Sequence, residues 1–384
     1  MGFDSRECTP ELLRVAIQLA AETRSLERAA ATMKYTLGRG LSAKTIERLV
    51  GQVGAELRHH QAEDGGKEIV VPDVAVVSCD GGRIRTREAG QGPGVHDPAW
   101  RETKNASFEK MTSSAPRETD PCPELPDTFR QVAHVANIAE KAAFSVACPQ
   151  EQRPRYQGPK RVLRTCLSSL VRAREFGHPM RREARRRRFD EAPRRVFIGD
   201  GLPWNWSIWK EHFRTFTPIL DFIHAVQYLY AAAAAWEDTD EARWSRYLTL
   251  TEAVWQGQVD NVIGSLQAEL TARGIEVDDE VPENSPHAPL VDAARYLHNN
   301  RQRMDYPRYR REGLPITSAP MESLIKQINH RVKGTEMFWN APDGAEAILQ
   351  LRAAHLCEDG RLDDYLSTRR GCPNVRRPAT TLAA

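Results

Sequence analysis

IVVPDVAVVSCDGGRIRTR, residues 69–87, is the stretch on which the fold turns. Its first half is an apolar, β-branched run of the kind that forms a buried strand, and the run stops at Asp80. Gly81-Gly82 then predicts a turn, and the alternation Arg83, Ile84, Arg85, Thr86, Arg87 predicts a second strand. Beyond the Gly/Pro-rich segment 89–98, WRETKNASFEKMTS (100–113) reads as a third strand. The result is an antiparallel hairpin or meander with a carboxylate at the tip of its first strand. A strand interior does not want an ionised carboxyl, although a turn-forming Asp before Gly is a common alternative for any single acid.

The arrangement recurs downstream. RRVFIGDG (194–201) is a short apolar strand that again stops at an acid before glycine, Asp200, and LPWNWSIWKEHF (202–213) reads as a helix. TPILDFIHAVQYLYAAAAAW (217–236) reads as a strand running into a long helix, and residues 127–148 also look helical. Helical periodicity continues to about residue 300, interrupted by a Pro-rich acidic loop at 276–290. GLPITSAPMESLIKQINHRVKG (313–334) then predicts a loop and a helix, with Ser318 as cap, Pro320 tolerated in the first turn and Glu322 beside it. Three acids so placed, Asp80, Asp200 and Glu322, suit a hard cation. Two Mg²⁺ ions about 3.5–4 Å apart clamp the attacking and leaving oxygens of a phosphoryl displacement, and each needs only one or two carboxylates.

Residues 10–60 carry helical patterns with Ser25 and Ser42 as caps and a break at Gly38 and Gly40. Helix, glycine-bearing turn, helix is the order of a helix-turn-helix. In that reading Lys44, Thr45, Arg48 and Gln52 lie on the outer face of the second helix, available to DNA. A small three-helix packing module is the alternative.

The formal charge of +2 over 384 residues hides a segregated chain. Residues 161–195 hold twelve arginines against four acids, a local +8, with Arg185, Arg186, Arg187 and Arg188 in succession. Acidic stretches such as WEDTDEA (236–242) balance it. A polyanion would meet the basic stripe, unless the run is a solvated helix face. No apolar run reaches the roughly 18 residues of a membrane helix, and MGFDSRECTP lacks the basic and apolar regions of a secretory signal. Seven cysteines without a CxxC pair suggest a reducing cytoplasm and argue against a disulfide framework or structural zinc.

Taken in order, VVSCDGGRIRTR, the WRETKNA strand, VFIGDGLPWNW, ILDFIHAVQYL and PITSAPMESLIKQINHRVKGTEMFW resemble the DDE transposases of bacterial insertion sequences of the ISKra type, in the RNase H-like (retroviral integrase) superfamily. The resemblance spans about residues 20–360. It implies an α/β fold: an RNase H-like mixed sheet with flanking helices, an α-helical insertion before the final catalytic helix, and an N-terminal helix-turn-helix domain. The corresponding divisions are 1–62 for DNA binding, 67–224 and 313–368 for the catalytic core, 225–312 for the insertion, and a disordered tail at 369–384.

The resemblance further implies Asp80, Asp200 and Glu322 as the catalytic triad, with two Mg²⁺ ions as cofactor and Mn²⁺ as a substitute. Asp221 and His224 resemble an acid-x-x-His element that supports such sites, a core histidine being the alternative. Lys326 and Lys333 lie on the helix of Glu322, placed to hold a DNA backbone or simply to face solvent. Trp204, Trp206, Trp209 and Trp339 stack on bases or, as is commoner, pack. Double-stranded DNA, as terminal inverted repeats and target, is the implied partner of a homo-oligomer in a bacterial cytoplasm, associated with the nucleoid and not with membrane. The chain begins about ten residues ahead of its first helix, less than the resemblance implies, which suggests N-terminal truncation. A nuclease or resolvase on the same fold and a non-catalytic DNA-binding regulator are the alternative functions.

Overall fold

A computed structural model describes residues 8–62, 70–87, 99–113, 115–147, 158–277, 281–333 and 338–369. Along them run α1 (Pro10–Glu22), α2 (Leu26–Leu37), α3 (Ala43–Ala62), β1 (Val74–Thr86), β2 (Ala99–Thr112), α4 (Val132–Ile138), β3 (Lys160–Ser169), α5 (Ala173–Arg186), β4 (Arg194–Gly199) and α6 (Pro203–His212). They are followed by β5 (Thr217–Leu220), α7 (Phe222–Trp236), α8 (Asp240–Trp255), α9 (Val259–Ala272), α10 (Ala288–Asn300), α11 (Tyr306–Arg311), α12 (Ala319–Val332), α13 (Pro342–Leu356) and α14 (Arg361–Thr368).

Among the described residues the strands form one five-stranded sheet in the order β3-β2-β1-β4-β5. β2 is antiparallel to both its neighbours, whereas β4 and β5 run parallel to β1. The protein is thus of the α/β class, a mixed sheet with helices on both faces, consistent with an RNase H-like fold.

Period-two alternation distributes β1 between two cores. Val74 and Val76, with Val196 and Ile198 of β4, bury one face under α4 and α7–α11. Ala75, Val77 and Cys79, with Phe197, bury the other under α5 and α6. Continuing the alternation puts Asp80 and Asp200 on the first face, the one covered by the helical layer.

Three expectations change. Gly81 and Gly82 do not turn the chain: they pair with Lys104 and Thr103 inside a β1 that continues to Thr86. Closeness explains the glycine, since a Cβ on Gly82 would lie 2.6 Å from Thr103 Oγ1. The segment between β1 and β2 includes 88–98, outside the described residues. Secondly, β3 lies at the start of the arginine-rich segment, where its buried positions Arg164, Thr165, Cys166, Leu167, Ser168 and Ser169 are mostly polar and give no apolar strand pattern. Thirdly, the helix at 127–148 shrinks to Val132–Ile138 preceded by a 3₁₀ turn. Residues 139–147 follow the core irregularly, with Phe144 stacked on Tyr230 at 4.4 Å between ring centres, and Cys148 lies outside the described residues.

The N-terminal helices have the expected caps, with Ser25 accepting from Arg28 N at 3.1 Å and Ser42 from Thr45 N at 3.1 Å. They do not keep a core to themselves. Leu13, Ile17, Ile46, Leu49 and Val53 pack in one cluster with Leu324, Ile328, Ile348 and Leu351 of α12 and α13. α3 meets α13 where a Cβ on Gly54 would lie 2.6 Å from the Ala347 carbonyl oxygen. Buried Arg331 and Arg352 donate to the carbonyls of Ala20 and Ala21 at 2.7 and 3.0 Å. Two cations thereby meet the negative end of the α1 dipole.

Candidate active site

The sheet register builds the site. The last paired row across the parallel strands is Cys79–Gly199–Leu220. One residue beyond each stands an acid: Asp80 within β1, where its pairing with β4 stops, Asp200 just after β4 and Asp221 just after β5. The three are brought to one level where the parallel pairing ends, at the carboxyl ends of β4 and β5 and beside the middle of β1.

Each acid has its own support. Asp80 Oδ1 accepts from Gly81 N at 2.5 Å. Asp200 Oδ1 accepts from Leu202 N at 2.9 Å and from the Asn205 amide. The Tyr296 hydroxyl of α10 donates to the Asp200 carbonyl at 2.6 Å. Its ring covers Gly201, whose φ of +99° and absent side chain are both required there, because a Cβ would sit 2.5 Å from that ring. Asp221 is fully buried and spends both oxygens within the protein. Oδ1 caps α7 by accepting from Ile223 N at 3.0 Å, and Oδ2 meets His224 Nδ1 at 3.0 Å and the Ser318 hydroxyl. Asp221 is therefore a holder of groups rather than a free ligand.

Ser318 stands at the N-cap position of α12 as expected, but its hydroxyl does not cap the helix; it is turned to Asp221. Glu322 follows one turn on, half-buried, with Met321, Leu324, Ile328 and Val332 packed beneath the helix.

The charges act on one another. Burial and the neighbouring Asp200 push the Asp80 carboxyl up to about 6, against the pull of His224 and of the Gly81 N–H. Burial raises Asp200 as well, opposed by the Leu202 N–H and His224. Burial and Asp221 raise Glu322, opposed by His224 and Lys326. Burial alone would lower His224, but its bond to Asp221 and the charges of Asp221, Asp200 and Asp80 hold it up at about 9. An imidazolium thus stands among the acids at neutral pH.

This donor set fits divalent cations: half-buried carboxylates, raised by desolvation and by one another, on a face covered by the helical layer. Among the described residues Asp80, Asp200 and Glu322 do not close to within 4.8 Å of one another as a single three-ligand cluster. Two ions about 3.5–4 Å apart need a wider cradle than one, and like-charged carboxyls without ions repel.

The arginine run is largely spent inside the protein, which corrects the expectation of four successive phosphate contacts. Arg187 is 3% exposed and paired with Glu183 at 3.0 Å and with Asp359. Arg186 reaches Glu183 at 3.5 Å and the Gln61 carbonyl at 3.2 Å, and Arg188 pairs with Glu191 at 2.5 Å. Arg185 is exposed, as are Arg174 earlier on α5 and Arg172 just before it. Within the segment Glu183, Asp190 and Glu191 hold Arg181, Arg186, Arg187 and Arg188, and Asp359 and Glu358 reach Arg187 and Arg161 from outside it.

Lys44 and Arg48 are exposed on α3, while Thr45 is half-buried with its hydroxyl 2.9 Å from that of Ser42. Lys326 and Lys333 are exposed on α12. The tryptophans pack: Trp206, Trp209 and Trp339 donate to Asn300, Phe216 and Val332 at 2.9–3.0 Å, and Lys104 sits 4.4 Å over the Trp204 ring. Asn205, Tyr296 and Ser318's true role escaped the sequence reading; Asn205, at Asp200 plus five on the following helix, carried the only local signal.

No protein-family model matches the chain, and no curated protein matches it. Among solved structures it is similar to the Drosophila P element transposase strand transfer complex, with 10% identity, a TM-score of 0.39 and 94% of each chain covered. A likeness of that strength leaves the chemistry to be read from the residues themselves. No helix among the described residues is long and apolar enough to cross a membrane.

Proposed function

We propose that the protein is a DNA transposase of the bacterial insertion-sequence ISKra type, which cleaves element ends and joins them to target DNA. The observation that supports this is the row of acids one residue beyond Cys79–Gly199–Leu220, with Glu322 brought to the same Asp221 and His224 by α12. Asp80, Asp200 and Glu322 would hold two Mg²⁺ ions, with Mn²⁺ as a substitute. When bound, the ions supply charge stabilisation to an in-line displacement at phosphorus.

The remaining work falls to the chain. Asp221 fixes the direction of the His224 imidazolium and, through Ser318, the start of α12. His224 presents positive charge to the scissile strand, and Lys326 and Lys333 meet its backbone. Lys44, Thr45 and Arg48 on α3 contact the terminal inverted repeats, and exposed Arg185 adds a sequence-independent phosphate contact. Joining two ends requires an oligomer, most simply a dimer, working on the nucleoid in a bacterial cytoplasm.

The test is a strand-transfer assay with labelled element ends, Mg²⁺ or Mn²⁺ and target DNA. Wild type should cleave and join, and Asp200→Ala should do neither. Identical products from both would overturn the reading. Cleavage without joining would identify a nuclease on the same fold, and DNA binding without cleavage a regulator.

A further inference from the structure

On the opposite face of the sheet, α5 and α6 bring together His178, Glu211 and His212, far from the acids in role and in partners. One ligand atom from each lies within 4.8 Å of the others. The two imidazoles meet edge to face with ring centres 4.9 Å apart, and His212 Nε2 is 3.8 Å from Glu211 Oε1.

A second observation singles out this cluster. The His212 side chain is only 10% exposed, yet its Nε2 is buried with no hydrogen-bond partner among the described residues. A buried polar nitrogen left without a partner costs about 1–3 kcal/mol, so its retention calls for an occupant. The backbone is shaped around it: a Cβ on Gly177 would lie 2.4 Å from His212 Nε2 and Cδ2. Glycine at 177 therefore lets the His212 ring edge lie directly against α5, next to His178.

We propose that His178, Glu211 and His212 bind a transition-metal dication, zinc by choice of donors, with solvent completing the shell. Two imidazoles and a carboxylate are a three-ligand zinc set. Hard Mg²⁺ prefers all-oxygen surroundings, so the two metal sites select different ions. The position gives the ion a structural consequence: it clips α5 to the end of α6, the helix that begins three residues after Asp200 and supplies Asn205 to it.

The experiment titrates the full chain, in an Asp80→Asn/Asp200→Asn background that disables the carboxylate site, with Zn²⁺ against a chromophoric chelator, and repeats it with Co²⁺. One equivalent should bind, with the intense visible absorption of tetrahedral cobalt, and Zn²⁺ should raise the Tm. His178→Ala and Glu211→Gln alter exposed groups and keep the metal-free Tm. Each should weaken binding beyond the roughly 10–100-fold that loss of a supporting contact produces. His178→Cys should restore binding and add a thiolate-to-cobalt charge-transfer band. Wild type without a zinc equivalent, His178→Ala binding as tightly as wild type, or His178→Cys without the new band would each overturn the proposal.

Discussion

The hydroxyl of Ser318 donates to the Asp221 carboxylate across 97 positions of chain. That bond ties the entry of α12, and with it Glu322, to the end of β5. The same carboxylate oxygen holds His224 at 3.0 Å, so one buried acid sets the position of two groups facing the site.

Ser318→Ala should therefore act at a distance. Leaving a buried carboxylate short of one donor costs about 1–3 kcal/mol, visible as a lower urea midpoint. If Ser318 positions Glu322, DNA cleavage should fall by more than stability at the assay temperature accounts for, and Ser318→Thr should restore most of it. Unchanged cleavage in a folded Ser318→Ala protein would separate Glu322's placement from this bond.

Asp80 gives a pH dependence whose sign follows from burial and from the charge of Asp200. Its folded pKa of about 6 exceeds the unfolded value of 3.8, so ionising it disfavours the fold and stability drops as pH rises through that interval. His224 remains protonated until about pH 9 and adds nothing to this window. A dication relieves the repulsion, so the Mg²⁺-induced rise in Tm should be larger at pH 7.5 than at pH 5, and Asp80→Asn should diminish both.

The network at Glu183 titrates with the opposite sign. Burial would raise this carboxyl, but Arg361, Arg187 and Arg186 overcome it and hold it at about 2, below its ordinary 4.5. Its stabilisation is present above pH 4.5 and is lost as pH falls towards 2. Glu183→Ala leaves buried guanidiniums without their counter-charge and should cost about 3–5 kcal/mol at pH 7. Urea denaturation of both proteins at pH 7 and pH 3 should show the difference shrinking in acid.

Gly54→Ala tests whether α1–α3 belong to the common core. The added methyl meets the Ala347 backbone, which cannot rotate away, and overpacking of this kind costs about 1–3 kcal/mol. A single cooperative transition shifted to lower denaturant is expected. An early, separate transition of the N-terminal helices would show them to be an independent module.

Arg187 and Arg185 should separate fold from DNA affinity. Arg187→Ala breaks a buried pair and lowers stability, whereas Arg185→Ala leaves the melting curve intact. Under the transposase reading, Lys44→Ala/Arg48→Ala and Arg185→Ala weaken DNA binding and flatten its salt dependence by about 0.9 in log–log slope per lost phosphate contact. Salt titrations by fluorescence anisotropy distinguish the cases.

Local chemistry carried much of this architecture in the sequence alone. The apolar runs ending at Asp80 and Asp200, the helix of Glu322 and the Ser25 and Ser42 caps all follow from residue type and period within a few positions, and all appear in the structure. What the tertiary structure decided depends on partners far along the chain. Gly81-Gly82 reads as a turn until Thr103 is laid against it. The arginine run reads as a solvated stripe until Asp359, 172 positions from Arg187, is brought beside it. Asp221 reads as the partner of His224 alone until Ser318, 97 positions on, is brought to the same carboxylate. Strand register and ion pairing are long-range choices that spacing does not encode. The row of acids, each one residue past a paired triplet, therefore exists only once β1, β4 and β5 lie side by side.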